Sequence, residues 1–152
     1  MMPIQRILYP TDFSSYSNQA YFHAVAQAEV HGANLIVAYV FNPGQDEKQD
    51  VEASRRYWRN QLEQIAPTNT DIPVDHVFLE GDPATEIIRY ARDAGIDLIV
   101  MGTHGRTGID RLLVGSVTEK VMREAHCSVL AVKLPKGVSA PAKPDVELTG
   151  KR

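Results

Sequence analysis

Short apolar runs alternate with longer stretches of helical spacing along this chain, and that alternation restricts the fold more than any other feature. Three of the runs are close to continuously apolar: Leu35-Ile-Val-Ala-Tyr-Val-Phe41, Leu98-Ile-Val-Met101 and Val129-Leu-Ala-Val132. A strand with one wet face alternates polar and apolar side chains. A run with no polar side belongs to a strand covered on both faces, as in a parallel sheet. The predicted strands are Ile4 to Tyr9, Leu35 to Phe41, Val74 to Leu79, Leu98 to Met101 and Cys127 to Leu134.

The stretches between them carry helix signals. Ser14 or Ser15 can cap a helix that places Ala20, Ala24 and Ala28 on one face. A second predicted helix, Glu47 to Ile65, aligns Val51, Trp58, Leu62 and Ile65 on one stripe, and Pro67 stops it. The third has Asp82 as its N-cap, Pro83 in its first turn, Ile87, Ile88 and Ala91 inward and Gly95 at its end. Ser116-Val-Thr-Glu119 reads as a capping box opening a fourth, with Val117, Val121 and Ala125 on one face. Strand and helix alternate throughout, so the expected fold is α/β: a doubly wound five-stranded parallel sheet, its right-handed crossovers placing helices on both faces.

The 152 residues suit one domain, with 43% hydrophobic and 23% charged residues. A net charge of -3 supplies no global basic field for nucleic acid or acidic lipid. Cys127 is the single cysteine, which excludes an internal disulfide framework. No apolar run nears the roughly 20 residues of a membrane helix, and no secretory leader pattern opens the sequence. A cytoplasmic protein with no membrane and no nucleic-acid partner is expected. Residues 1–134 form the expected domain. From Pro135 to Arg152 the apolar period stops, and a flexible tail is predicted.

In an open α/β sheet, ligands sit at the carboxyl ends of strands where the strand order reverses, between the loops after strands one and four. Those loops hold Pro10-Thr11-Asp12-Phe13-Ser14 and Gly102-Thr103-His104-Gly105-Arg106-Thr107-Gly108, with Gly115-Ser116 further on. Glycine lets main-chain N–H groups approach an anion closely, and Gly115-Ser116 opens a helix whose free amides favour phosphate. Arg106 and Arg111 can add charge-assisted contacts, or stand as solvated surface charges. Ser116 can cap its own helix or bond a phosphate oxygen. Neither a P-loop nor a dinucleotide G-x-G-x-x-G is present. These residues by themselves describe an anion-binding α/β domain.

The set Gly102-x2-Gly105-x9-Gly115-Ser116 resembles the signature of the ATP-binding branch of the universal stress protein family. The likeness runs from Ile7-Leu8-Tyr9-Pro10-Thr11-Asp12-Phe13-Ser14 through Glu80-Gly81-Asp82-Pro83 to Val129-Leu-Ala-Val132, and stops before the Pro-rich tail. It implies a Rossmann-like sheet in the order 3-2-1-4-5. It also implies ATP as ligand, with a divalent ion (Mg or Mn) carried by the phosphates. By resemblance, Asp12 faces the ribose, with Pro10 and Thr11 shaping that wall, and Val40 offers main-chain groups to the adenine edge. Met101, Gly102, His104 and Gly105 line ribose and phosphates, while Gly115, Ser116, Val117 and Thr118 hold the phosphates. Cys127-Ser128-Val129 departs from the Cys-Pro-Val of many relatives, at a position that affects strand geometry only.

The resemblance further implies a homodimer through the last strand, Cys127 to Leu134, an edge open to pairing. Asp12 alone reads equally as a cap, and Cys127 as an inert small core residue. His104 has no carboxylate near it in sequence to orient it as a base. His23, His31, His76 and His126 lack metal-ligand spacing, so no catalytic residue and no protein-borne metal site is expected. In the glycine loop Asp110 is the lone carboxylate, so a regulatory nucleotide with at most slow hydrolysis is expected. The rival readings are a nucleotide-free interaction module of this fold and an adenylyl-transferring enzyme. The intact glycine set argues against the first. The absence of a His- or Lys-rich first loop argues against the second.

Overall fold

The computed structural model describes residues 3–45, 50–103 and 114–133. Its elements follow in the order β1 (Arg6–Thr11), α1 (Ser15–His31), β2 (Asn34–Phe41), α2 (Val51–Glu63), β3 (Val74–Glu80), α3 (Pro83–Asp93), β4 (Leu98–Gly102), α4 (Ser116–Glu124) and β5 (Ser128–Val132), with a short 3-10 turn at Pro43–Gln45. All strand pairs are parallel and the sheet order is β3-β2-β1-β4-β5, as expected.

Alternate side chains of each strand enter opposite layers, which explains the continuous apolar runs. Ile7, Tyr9, Leu35, Val37, Tyr39, Phe41, Leu98 and Val100 pack with Ala20, Ala24 and Ala28 of α1 and Leu62 of α2. Leu8, Ile36, Ala38, Ile99 and Met101 pack with Ala84, Ile87 and Ala91 of α3 and Val121 of α4. The three alanines of α1 are fully or almost fully buried, which lets that helix lie close against the sheet.

Helix boundaries follow their caps. Ser14 is the N-cap of α1, its hydroxyl accepting from the Ser17 amide at 3.2 Å. Gly32 ends α1 in the left-handed conformation at φ 62, donating its amide to Ala28 C=O, a geometry that favours glycine. Asp50 caps α2 through the amides of Glu52 and Ala53, so α2 starts at Val51, and the expected start at Glu47 lies outside the described residues. It ends at Glu63, with Ile65 buried beyond its end. Asp82 caps α3 and Pro83 occupies its first turn, as the sequence led us to expect.

Three sequence-based limits shift. β1 runs two residues further toward its carboxyl end than Ile4 to Tyr9, because Pro10 and Thr11 keep the register with Ala38 and Tyr39 of β2. β5 is shorter than Cys127 to Leu134, since its partner β4 ends at Gly102, which pairs with Val132. Leu134 and the tail to Arg152 lie outside the described residues. The capping-box reading of Ser116 is not borne out: Gly115 is the N-cap of α4, and among the described residues no side chain makes a cap hydrogen bond.

Candidate functional site

The order reverses between β1 and β4, whose chain continuations leave toward opposite faces. The β1–β2 register runs from Arg6–Asn34 to Thr11–Tyr39, whereas β1 and β4 pair only at Ile7–Leu98 and Leu8–Ile99. Pro10 has no amide hydrogen to continue a ladder on the β4 side. The carboxyl halves of β1 and β4 therefore part, and the segment after each strand borders the crevice between them.

On the β1 side, hydrogen bonds fix the turn into α1. Asp12 Oδ1 accepts from the Ser14 amide at 2.9 Å. Thr11, buried, accepts the Phe13 amide on Oγ1 at 3.0 Å and shares a 3.2 Å hydrogen bond with Ser17 Oγ. The Ser17 hydroxyl also reaches Ser14 C=O at 3.0 Å, and Tyr9 donates its hydroxyl to Ser17 C=O at 2.9 Å. Burial raises the Tyr9 hydroxyl far above its ordinary range, so it stays a donor. Ser14, and not Asp12, is the N-cap of α1. Phe13 takes φ 62, the lone non-glycine residue at positive φ among the described residues.

On the β4 side, the two ends of the glycine-rich segment meet. Thr103 donates its amide to Val132 C=O at 3.0 Å and accepts the Gly115 amide on its carbonyl at 2.6 Å. Thr118, buried in the first turn of α4, donates its hydroxyl to Gly102 C=O at 2.7 Å. Sixteen positions apart in sequence, the last residue of β4 and the first turn of α4 are thus bolted together. The first intrahelical bond runs from the Glu119 amide to Gly115 C=O at 2.9 Å. The amides of Ser116, Val117 and Thr118 precede it and have no intrahelical acceptor. Ser116 is exposed at the first helical position.

Of the residues singled out in the sequence, Pro10, Thr11, Asp12, Met101, Gly102, Gly115, Ser116, Val117 and Thr118 come to the carboxyl end of the sheet beside this crevice. Val40 stands at the end of β2, one residue beyond the last β1 partner, and its register partner is Leu79 of β3. Met101 is buried against α3 and α4. His104, Gly105, Arg106 and Arg111 lie outside the described residues. The Thr118 hydroxyl is directed to Gly102, which gives that residue a bracing position. Thr103, whose amide and carbonyl tie β4 to β5 and to α4, was not singled out in the sequence. A threonine amid glycines carries no signal of its own, and these two bonds are made by its backbone.

Among the described residues no group of three or more His, Cys, Asp or Glu is placed to hold a metal ion. His76 is taken up by a 2.6 Å hydrogen bond with Ile65 C=O. Cys127 is half-buried, and burial raises its thiol above the ordinary value. Among those residues, too, no helix is long and apolar enough to cross a membrane.

A model of the universal stress protein family matches residues 3–133, nearly everything that the structure describes. The chain belongs to that family. Among its members, universal stress protein MJ0531 of Methanocaldococcus jannaschii is 35% identical over 142 residues, covering 87% of this chain and 84% of its own. MJ0577 of the same organism is 30% identical over 153 residues. Its solved structure superposes with a TM-score of 0.69, covering 90% of this chain and all of the other. A universal stress protein solved in complex with cAMP is 26% identical, with a TM-score of 0.61 over 87% of this chain and 98% of the other. Within the family fold, then, a nucleotide-bound relative is similar to this chain over almost its full length.

Proposed function

We propose that this chain binds an adenine nucleotide, ATP by preference, in the crevice between β1 and β4. The observation that carries the reading is the start of α4. There a glycine is the N-cap, no described side chain caps the helix, and three first-turn amides point out of its end. Such an end carries partial positive charge and unmet donors, and a polyphosphate satisfies both. The residues present fit the ligand. Asp12 takes the ribose side with Pro10 and Thr11 as its wall, Val40 offers backbone to the adenine, and Gly102 leads into the phosphate loop with His104, Gly105 and Arg106. Ser116 bonds a phosphate oxygen, its hydroxyl being released from capping. A divalent ion, Mg or Mn, accompanies the phosphates and lowers their charge repulsion.

In this reading the nucleotide is a regulatory ligand of a cytoplasmic stress-response protein. A second copy of the chain is the expected partner through β5, which among the described residues stands at the edge of the sheet. The cAMP complex of a relative supports the nucleotide class, and the preference for ATP rests on the signature Gly102, Gly105, Gly115 and Ser116.

Gly115→Asp tests the assignment, because it puts bulk and negative charge where the phosphates would dock. Titration calorimetry is expected to show no ATP binding by this variant, with a far-ultraviolet spectrum like that of the unaltered chain. Equal affinity in a folded variant rejects the reading.

A further inference from the structure

We infer that Phe13 is a positioning residue for the nucleotide site, held in place by two aromatic rings from β2 and α2; the inference rests on the nucleotide reading above. Phe13 follows Asp12 directly and has φ 62. That left-handed conformation suits glycine and is unfavourable for an aromatic residue, so something must hold it there. Two sets of contacts do. The Phe13 amide is fixed by Thr11 Oγ1 at 3.0 Å. Its ring lies 5.0 Å from the Tyr39 ring and 5.1 Å from the Trp58 ring, and those two stack on each other at 5.5 Å. Each separation falls within the range of favourable aromatic pairs.

The consequence concerns Asp12. An αR or β conformation at Phe13 would redirect the chain between Asp12 and Ser14 and break the 2.9 Å bond from the Ser14 amide to Asp12 Oδ1. The ring clamp keeps the turn in the one form in which Asp12 borders the crevice. Trp58 belongs to α2, an element that supplies none of the proposed ligand contacts. A helix on one face of the sheet thereby sets the competence of a loop at its carboxyl end. The left-handed conformation disfavours a non-glycine residue enough that, with the clamp removed, about one molecule in ten would keep the turn, and apparent affinity falls in proportion.

The experiment uses the full chain with ATP and magnesium, following binding by calorimetry and folding by thermal midpoint. Phe13→Ala and Trp58→Leu are each expected to weaken ATP binding about tenfold. The double variant should be no weaker than the weaker single, because both remove the same clamp. Phe13→Tyr, which keeps the ring, should stay within about twofold of the unaltered chain. Packing without positioning would lower the midpoint and leave affinity alone, so folded single variants with unchanged affinity overturn the inference while the nucleotide reading stands. If Phe13→Ala does not fold, Trp58→Leu decides by itself: weakened binding supports the clamp, and unchanged binding overturns it. An unaltered chain that binds no ATP overturns both.

Discussion

Thr118→Val removes the bolt between β4 and α4 with little change of shape. Valine keeps the β-branch, so the helical rotamer is retained. What is lost is the 2.7 Å hydrogen bond to Gly102 C=O, at a position with 3% exposure. Water cannot readily replace the donor there, so the carbonyl bears the full penalty of an unmet buried acceptor, about 1–3 kcal/mol. The methyl that replaces the hydroxyl returns about 0.8 kcal/mol through burial. The net loss is about 0.2–2 kcal/mol, and in a domain of this size each kcal/mol moves the thermal midpoint by about 3–5 °C. Urea unfolding followed by circular dichroism measures it directly, and an unchanged slope would show that the denatured state is unaltered. Because the bolt sets the first-turn amides of α4 against the end of β4, ATP affinity should fall with stability. Thr118→Ser, which keeps the hydroxyl, should hold affinity near that of the unaltered chain while losing some packing. A Thr118→Val protein equal to the unaltered chain in urea midpoint would refute the reasoning, because it would mean the carbonyl loses nothing.

Asp12→Ala is expected to weaken ATP binding by about 1–3 kcal/mol if the carboxylate bonds the ribose. Calorimetry giving no change would return Asp12 to a role in shaping the turn, where it accepts the Ser14 amide. Alkaline pH tests the tyrosine layer. Burial pushes the Tyr21 hydroxyl up to about 12 from 10.0, and raises that of Tyr9 further. A folded value above the unfolded one leaves stability intact below pH 10.0 and takes it away as pH climbs through the window to about 12. Unfolding and tyrosinate absorbance should therefore rise together in that window. Tyr21→Phe removes a buried hydroxyl with no hydrogen-bond partner among the described residues, and should raise stability, measured by urea unfolding, by about 1 kcal/mol.

Where the residues of the candidate site stand was largely legible in sequence, because glycines and caps mark main-chain geometry locally. Pro10-Thr11-Asp12 and Gly102 stand at strand ends as expected, and Gly115 opens α4. The cap of α4 was misplaced by one residue, from Gly115 to Ser116. A serine followed by glutamate three positions on is a good local cap, yet the cap position is fixed by the Gly115 amide bonding Thr103 C=O across the end of the sheet. Thr103 and the bracing bond of Thr118 were opaque for the same reason, since those bonds join segments far apart in the chain. Phe13 gave no sign of a left-handed backbone, because its stabilising rings come from β2 and α2.

By itself, the amino-acid order determined the α/β alternation, the burial of both sheet faces and the stops and starts of the helices near Ser14, Gly32 and Asp82. Those are set by hydrophobic period and by side chains bonding amides two or three residues away, interactions a short window contains. Tertiary structure alone decided where β1 parts from β4, which residue caps α4, and how the Tyr39 and Trp58 rings hold the turn beside Asp12. Each of these is a contact between distant stretches of chain, and it exists only once the sheet has brought them together.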